Sequence, residues 1–289
     1  MNKKNQRLPE THIKSVFALY SNGQIQEALD TVETLTKDYP KEPILYNISG
    51  ACYKEIGQLE KAVKSFENAV DLKPDYAEAQ YNLGVTLREL GQVNAAIKSY
   101  EKALSIKHAY PNVHNNLGNI FLELSRLDDA VDHFEWAVAY KPDFVEAHNN
   151  LGIVFMELGQ RDAAFKCYEK AIAIKPDYVE AHLHLGTIKK YTANDPQITQ
   201  MQSLISNSNL SQLDYISLNF ALAKVYEDLG NTDEQFNFLI TNTIEEITER
   251  VSEFNKLLFW FLSLLSFGLI IAVFIQVRFG LRPLKKIQS

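Results

Sequence analysis

The sequence has little cysteine, no cluster of basic residues outside its last dozen positions and none of the common catalytic motifs. Its two cysteines, Cys52 and Cys167, are too few for a disulfide framework or a cysteine-based metal site. A formal net charge of −7 argues against a nucleic-acid-binding protein. P-loop, G-x-G-x-x-G, H-E-x-x-H and G-x-S-x-G patterns are all missing. The sequence therefore predicts no catalytic residue, no metal and no cofactor.

A pattern with a period of 34 residues fills most of the chain. Three columns of the pattern consist of small or rigid residues. The glycine column is Gly50, Gly84, Gly118, Gly152 and Gly186; the alanine column is Ala62, Ala96, Ala130 and Ala164; the proline column is Pro74, Pro142 and Pro176, with His108 in the remaining slot. A unit of this length holds two helices of about 12 to 15 residues with their turns.

Each column has a physical reason. Glycine inside a helix costs about 1 kcal/mol relative to alanine, so the glycine column predicts a close approach by a neighbouring helix. The column Gly57, Gly91, Ser125 and Gly159 is expected to end each first helix in a left-handed conformation. An aromatic column, formed by Phe66, Tyr100, Phe134 and Tyr168, is expected to pack between alanines. Asp-x-x-Glu pairs starting at Asp75, Asp143 and Asp177 resemble capping boxes for the next helix.

These columns resemble those of the tetratricopeptide repeat (TPR) family. Four units span 45–176, a divergent unit precedes them at about 9–42, and a further first helix follows at 178–190. The resemblance implies an all-α fold, a right-handed helical solenoid in which each unit contacts its neighbours. We therefore expect an N-terminal tail at 1–8 and a solenoid of about five repeats plus one helix at 9–190.

Asparagines recur on the first helices, which line the concave face of such a solenoid. One set is Asn82, Asn116 and Asn150, followed by His184, and beside it are Asn47, Asn115 and Asn149. A carboxamide can both donate and accept a hydrogen bond, so these residues suit binding of an extended peptide. They resemble the asparagine ladder of the O-linked N-acetylglucosamine transferases. The alternative is that they bond within or between neighbouring repeats.

Two further columns are open to a functional interpretation. Glu55, Glu89, Glu123 and Glu157 could favour a basic partner, although a charge column is more often a solvated face. His114, His148 and His182 recur at one per repeat, too far apart to share a metal ion, and we expect them to serve in packing.

The repeat pattern breaks after Lys190. Asn194-Asp195-Pro196 predicts a break followed by a short helix, and Ser211-x-x-Asp214 predicts the cap of another. We expect 191–241 to be a degenerate helical capping or linker region. Its segments DPQITQM and LNFALAKVYEDLG resemble the linker of bacterial TPR–sulfotransferase proteins, but nothing of the catalytic domain accompanies them, so that activity is not carried over.

The final part predicts a membrane protein. Leu257–Val277 contains 21 residues without a charge, about 30 Å of helix and enough to span a bilayer core. A juxtamembrane helix is expected at 242–256 and a basic, cytoplasmic-type tail at 278–289. The lipid bilayer is therefore a predicted partner through Leu257–Val277.

The orientation in the membrane stays open. The tail carries four basic and no acidic residues, which places it in the cytoplasm by the positive-inside rule and the repeats outside. The polar first twenty residues contain no apolar leader, which favours the repeats in the cytoplasm. The stretch from Ile244 to Ser289 resembles the second membrane helix and linker of a bacterial sensor histidine kinase, whose phosphoacceptor and ATP-binding motifs do not follow here.

The favoured function is a non-catalytic scaffold that binds a peptide or partner protein on its concave face. We expect a single membrane pass, in a bacterial inner membrane, and no nucleic-acid partner. One alternative is the regulatory fragment of a TPR-linked sulfotransferase or sensor kinase. Another is a chimeric or truncated product with no combined function.

Overall fold

The computed structural model describes residues 8–206 and 210–230, together with Ser252 and Lys256. These residues form α-helices and no β-strand, which confirms the predicted all-α class. The helices are α1 (Glu10–Ser21), α2 (Ile25–Asp38), α3 (Pro43–Glu55), α4 (Leu59–Leu72), α5 (Ala77–Glu89), α6 (Val93–Ile106), α7 (Pro111–Glu123), α8 (Leu127–Tyr140), α9 (Val145–Glu157), α10 (Arg161–Ile174), α11 (Val179–Ile188), α12 (Pro196–Ile205) and α13 (Gln212–Asp228).

The chain divides into two compact units after Ala181. In the first unit each helix packs on the one that follows it, so α3 contacts α4, α4 contacts α5, and so on to α10. First helices of successive repeats also touch directly, as α3 does with α5 and α7 with α9. This succession of helix pairs, each contacting its neighbours, is the arrangement of a helical solenoid.

The glycine column lets the two helices of each repeat come together. A Cβ atom placed on Gly50 would lie 2.6 Å from the ring of Phe66, closer than real Cβ contacts allow. The same relation joins Gly84 to Tyr100, Gly118 to Phe134 and Gly152 to Tyr168. The predicted close approach is confirmed, and its partner is the aromatic column of the same repeat.

Alanine columns complete the core around these rings. The first is Ala62, Ala96, Ala130 and Ala164, the second is Ala69, Ala103, Ala137 and Ala171, and all eight residues are fully buried. The aromatic column is buried as well, with Phe66, Tyr100, Phe134 and Tyr168 at most 2% exposed. Small residues on either side of a large ring leave the space into which the ring fits, so the core repeats with the sequence.

Left-handed residues end the first helices, as the sequence predicts. Gly57, Gly91 and Gly159 have φ near +74°, and Ser125 occupies the same turn with φ +56°. Only glycine reaches this region without a steric penalty, because other L-residues bring Cβ too close to the following carbonyl oxygen. Ser125 is the single non-glycine residue with positive φ among the described residues.

The predicted aspartate capping boxes are wrong for α5 and α9. Helix α5 starts at Ala77 with Tyr76 in the N-cap position, and Phe144 takes that position for α9; no side-chain cap forms at either helix. The aspartates lie one residue before the cap. A lysine three residues before the aromatic covers its ring instead: Lys141 Nζ lies 4.4 Å from the centre of Phe144.

The second unit contains the helices predicted after Lys190. Asp195 accepts a hydrogen bond from the backbone N–H of Gln197 and caps α12, with Pro196 as its first residue. Ser211 caps α13 by accepting from the N–H of Asp214 at 3.1 Å, which confirms the predicted cap. Gly186 here meets an alanine rather than an aromatic ring, because its Cβ would lie 3.2 Å from Ala221 Cβ.

No helix within the described residues is long and apolar enough to cross a membrane. The predicted juxtamembrane helix at 242–256, apart from Ser252 and Lys256, and the predicted membrane helix Leu257–Val277 lie outside those residues, as do the tails at 1–7 and 278–289. They stay predictions, as do the domain boundaries.

Ser125 gives a prediction on stability. Ser125→Gly is expected to raise the free energy of unfolding by about 1 kcal/mol, because it removes the cost of a left-handed L-residue. Urea denaturation followed by circular dichroism measures the change. The matched control is Ser105→Gly, an exposed position inside α6, where glycine should lower stability by about 0.5 kcal/mol. A loss of stability in Ser125→Gly would contradict a steric cost of the left-handed conformation at this position.

Candidate functional site

The asparagines of the first helices lie in two environments. Asn47, Asn115 and Asn149 are buried, at 5%, 9% and 4% exposure. Asn82, Asn116 and Asn150, named here the asparagine row, are half-exposed, and they lie one per repeat on α5, α7 and α9. The structure thus separates the six predicted residues into an inner buried set and an outer accessible row.

Hydrogen bonds connect the two sets across repeats. Asn82 Nδ2 donates to Asn47 Oδ1 at 3.0 Å, and Asn150 Nδ2 donates to Asn115 Oδ1 at 3.3 Å. Asn116 Nδ2 donates to the Tyr100 hydroxyl at 3.2 Å. These contacts favour the inter-repeat interpretation for the buried set. In these hydrogen bonds the asparagine row donates through Nδ2, and its Oδ1 atoms take no part in them.

The glutamate column also bridges repeats. Lys54 Nζ lies 3.0 Å from a carboxylate oxygen of Glu89, and Arg88 pairs with Glu123. One repeat earlier, the Tyr20 hydroxyl donates to Glu55 at 3.3 Å. Each partner precedes its glutamate by 35 residues, which is one repeat plus one position. Exposed pairs of this kind contribute little stability individually, but they partly neutralise the column on the first-helix face.

His114 and His182 are buried, as expected for residues that serve in packing, whereas His148 is half-exposed. His114 is buried, with its Nε2 3.2 Å from the carbonyl oxygen of His108 and its Nδ1 3.1 Å from Nδ1 of His133. Because Nε2 donates to the carbonyl, a neutral His114 accepts at Nδ1 and His133 donates. Trp136 and Tyr140 stack on each other with their centres 5.5 Å apart, and both rings contact His114. No group of three or more His, Cys, Asp or Glu residues suited to a metal occurs among the described residues.

Burial sets the protonation state of this cluster. Desolvation lowers the pKa of His114 to about 4, assisted by His133 and opposed by the hydrogen bond to His108. Burial also lowers the pKa of His133, although Asp129 and Asp132 raise it and Arg126 lowers it further. Both rings are therefore neutral at pH 7.

The two cysteines are free thiols. Cys52 is buried and Cys167 is half-buried. Desolvation is the main reason that the pKa of each is raised to about 11, so both stay protonated at pH 7 and are poor nucleophiles.

The sequence analysis missed two features that have a visible signal. Lysine and an aromatic residue recur three positions apart before α5, α7, α9 and α11: Lys73 with Tyr76, Lys107 with Tyr110, Lys141 with Phe144, and Lys175 with Tyr178. The second signal is a serine at position 49, where the next three repeats have leucine. It identifies a place where this repeat differs from the others.

These observations define a helical repeat protein whose first helices present polar side chains. Family models for the TPR repeat match residues 50–87 and 86–125, and a tetratricopeptide repeat model matches residues 115–187. Residues 50–187 of the chain therefore match tetratricopeptide repeats.

Several known proteins are similar over this region. A peroxisomal targeting signal receptor from Candida glabrata is 26% identical over 83 residues, which is 29% of this chain and 14% of the receptor. The structure of MamA is 25% identical with a TM-score of 0.52, covering 55% of this chain and 93% of MamA. YrrB, described as a TPR protein with an unusual peptide-binding site, is 22% identical with a TM-score of 0.50, covering 59% of this chain and 88% of YrrB.

The curated relatives extend far beyond the shared region. The matched segments make up between 6% and 14% of their own lengths. The similarity is therefore one of repeats, and the activities of the whole relatives do not follow from it.

The buried His114 gives a prediction on pH dependence. Its folded-state pKa of about 4 lies below the unfolded value of 6.5, so the unfolded state binds more protons between these values and stability falls on acidification. Between pH 7 and pH 5 the free energy of unfolding should fall by about 1–2 kcal/mol more in the native chain than in His114→Gln. Gln80 holds the equivalent position one repeat earlier, so glutamine suits the site.

Urea titrations at the two pH values measure this difference. Equal pH dependence in native chain and His114→Gln would contradict the assignment.

Proposed function

We propose that the repeats bind an extended segment of a partner protein along the asparagine row. The observation that carries the proposal is the row itself: three half-exposed carboxamides at one per repeat on α5, α7 and α9. Their Nδ2 groups are held by Asn47, Tyr100 and Asn115, which orders the side chains before a ligand arrives. A preordered side chain loses less entropy on binding, so each contact is worth more.

The row suits the main chain of a peptide. An Oδ1 atom accepts from a backbone N–H, and backbone groups are present in every peptide regardless of its sequence. Contacts of this type therefore give tolerance of sequence, while neighbouring side chains select among peptides. The ion pairs Lys54–Glu89 and Arg88–Glu123 beside the row can exchange partners with charged residues of a ligand.

Similarity to known TPR proteins supports the same function. The name of the relative from Candida glabrata describes a receptor for a targeting signal, and YrrB is described as having a peptide-binding site. We propose that this chain is likewise a non-catalytic interaction scaffold. The partner is a peptide or protein segment.

Replacement of the row tests this function. Peptides selected from a displayed random library on the native chain should bind Asn116→Ala/Asn150→Ala about tenfold or more weakly, since each lost hydrogen bond contributes roughly 1 kcal/mol. Fluorescence anisotropy of the labelled peptides measures the affinity, and thermal unfolding checks the fold. Asn94→Ala, an exposed position on the second helix α6, is the control and should bind as the native chain does. Equal affinity for all three chains would refute the asparagine row as the binding surface.

We further propose that Leu257–Val277 anchors the scaffold in a bacterial inner membrane, with the repeats in the cytoplasm. The support is the uncharged length of this segment, which matches a bilayer core.

Charge insertion tests the anchor. Leu265→Arg/Leu269→Arg places two charges near the centre of the segment, each costing about 2.5–3.5 kcal/mol on insertion, and should move the chain out of the membrane fraction of a bacterial host. Ser252→Arg, outside the segment, is the control and should remain in that fraction. Cleavage of the repeats by protease added outside intact spheroplasts would overturn the cytoplasmic placement.

A further inference from the structure

A pocket of about 420 Å³ lies between α2, α3 and α4, and none of the asparagine row lines it. Its walls combine cationic, hydroxyl and aromatic side chains. They are formed by Glu33, Thr36, Lys37, Tyr46, Ser49, Tyr53, Lys61, Lys64, Ser65 and Asn68.

A departure from the repeat pattern opens this pocket. Ser49 occupies the position that leucine holds in the next three repeats, as Leu83, Leu117 and Leu151. Those leucines are buried at 7%, 1% and 6% exposure, so the position normally fills the space between the helices of a repeat. Serine leaves that space empty. Its hydroxyl lies 3.5 Å from the Ser65 hydroxyl, which places two buried polar groups at the base of the pocket.

The walls carry an excess of positive charge in a chain whose net charge is −7. Lys37, Lys61 and Lys64 lie on two different helices around the pocket, and Glu33 is the one acidic residue that lines it. The Glu33 carboxylate accepts a hydrogen bond from the Tyr53 hydroxyl at 2.7 Å. Among described residues, no carboxylate lies within ion-pair distance of these lysines.

The equivalent positions two repeats later differ in charge, and side chains fill the space between the helices there. Between α6, α7 and α8, the three lysines are replaced by Ser105, Asp129 and Asp132. The space is occupied there by the packed rings of His114, His133 and Trp136. The open, basic pocket between α2, α3 and α4 therefore has no counterpart at the equivalent positions between α6, α7 and α8.

We propose that this pocket binds a small organic molecule that carries a phosphate or sulfate ester. Ammonium groups from three lysines and the hydroxyls of Ser49 and Ser65 supply the donors that a tetrahedral oxyanion requires. The volume exceeds that of the oxyanion alone and falls in the range of small-molecule sites. Tyr46 provides aromatic surface for the organic part of the ligand, and the Lys61 ammonium lies over the neighbouring Tyr53 ring at 5.4 Å from its centre.

Phenyl phosphate is a suitable probe because it combines an aromatic ring with a phosphate ester. Titration calorimetry of the full-length chain in mild detergent, at low ionic strength, should show one molecule bound per chain. Inorganic phosphate should bind at least severalfold more weakly because it lacks the ring, and phenol should show no saturable binding because it lacks the anion. Added sodium chloride at about 0.5 M should abolish binding by screening the lysines.

Three variants connect binding to the pocket. Ser49→Leu restores the residue of the other repeats and should lower affinity for phenyl phosphate at least tenfold while leaving thermal stability equal or higher. Lys61→Gln/Lys64→Gln keeps the space but removes two charges, and should also lower affinity at least tenfold. Lys98→Gln, which is equivalent to Lys64 one repeat later, should bind as the native chain does.

The outcomes separate the proposal from nonspecific association. Tight binding of phenol, unchanged affinity in Ser49→Leu, or an equal loss in Lys98→Gln would overturn it, as would the absence of binding at millimolar phenyl phosphate. Phosphate binding that all three variants retain would indicate an adventitious ion only. If Ser49→Leu does not fold, the lysine pair against Lys98→Gln decides the question alone.

Discussion

The contact between a glycine of the first helix and an aromatic ring of the second is the constraint on which the rest of the structure depends. In each of four repeats the ring occupies the volume that a Cβ would need, as Phe66 does over Gly50. This contact sets the separation of the two helices, and flanking alanines extend it to the neighbouring repeat. The core can then be identical from repeat to repeat, while the residues outside it are free to differ.

Differences outside the core give the repeats their separate surfaces. Where Ser49 replaces leucine, a basic pocket opens between α2, α3 and α4. At the equivalent place two repeats later, His114 and His133 close the space with neutral, desolvated rings. The asparagine row lies on the first helices and uses a third set of positions. The basic pocket, the buried histidine cluster and the asparagine row are thus three chemically distinct features of one repeated framework.

The repeated part of the fold was predictable from the sequence because its signals are local and recur at equal spacing. Glycine in a helix interior implied a close approach, and glycine at a helix end implied positive φ; both followed from the chemistry of a missing Cβ. The predicted aspartate caps were wrong because each aspartate lies one residue before the N-cap, which is Tyr76 for α5 and Phe144 for α9. The serine at position 49 is visible in the sequence as a departure from the pattern, but whether the missing leucine leaves a cavity depends on the surrounding side chains, which the pattern does not give.

The role of the asparagines could also be predicted only in part from the sequence. The 34-residue period predicts that they lie on the first helices. Whether each one can bind a ligand or forms hydrogen bonds between repeats depends on its burial. The structure assigns burial residue by residue, placing Asn47 inside and Asn82 at the surface. The glycine–aromatic contact closes within one repeat, whereas the Asn82–Asn47 bond needs an adjacent copy. Duplication of a whole unit would therefore repeat the glycine–aromatic contact and add one position to the asparagine row, so the row can lengthen without a new kind of core packing.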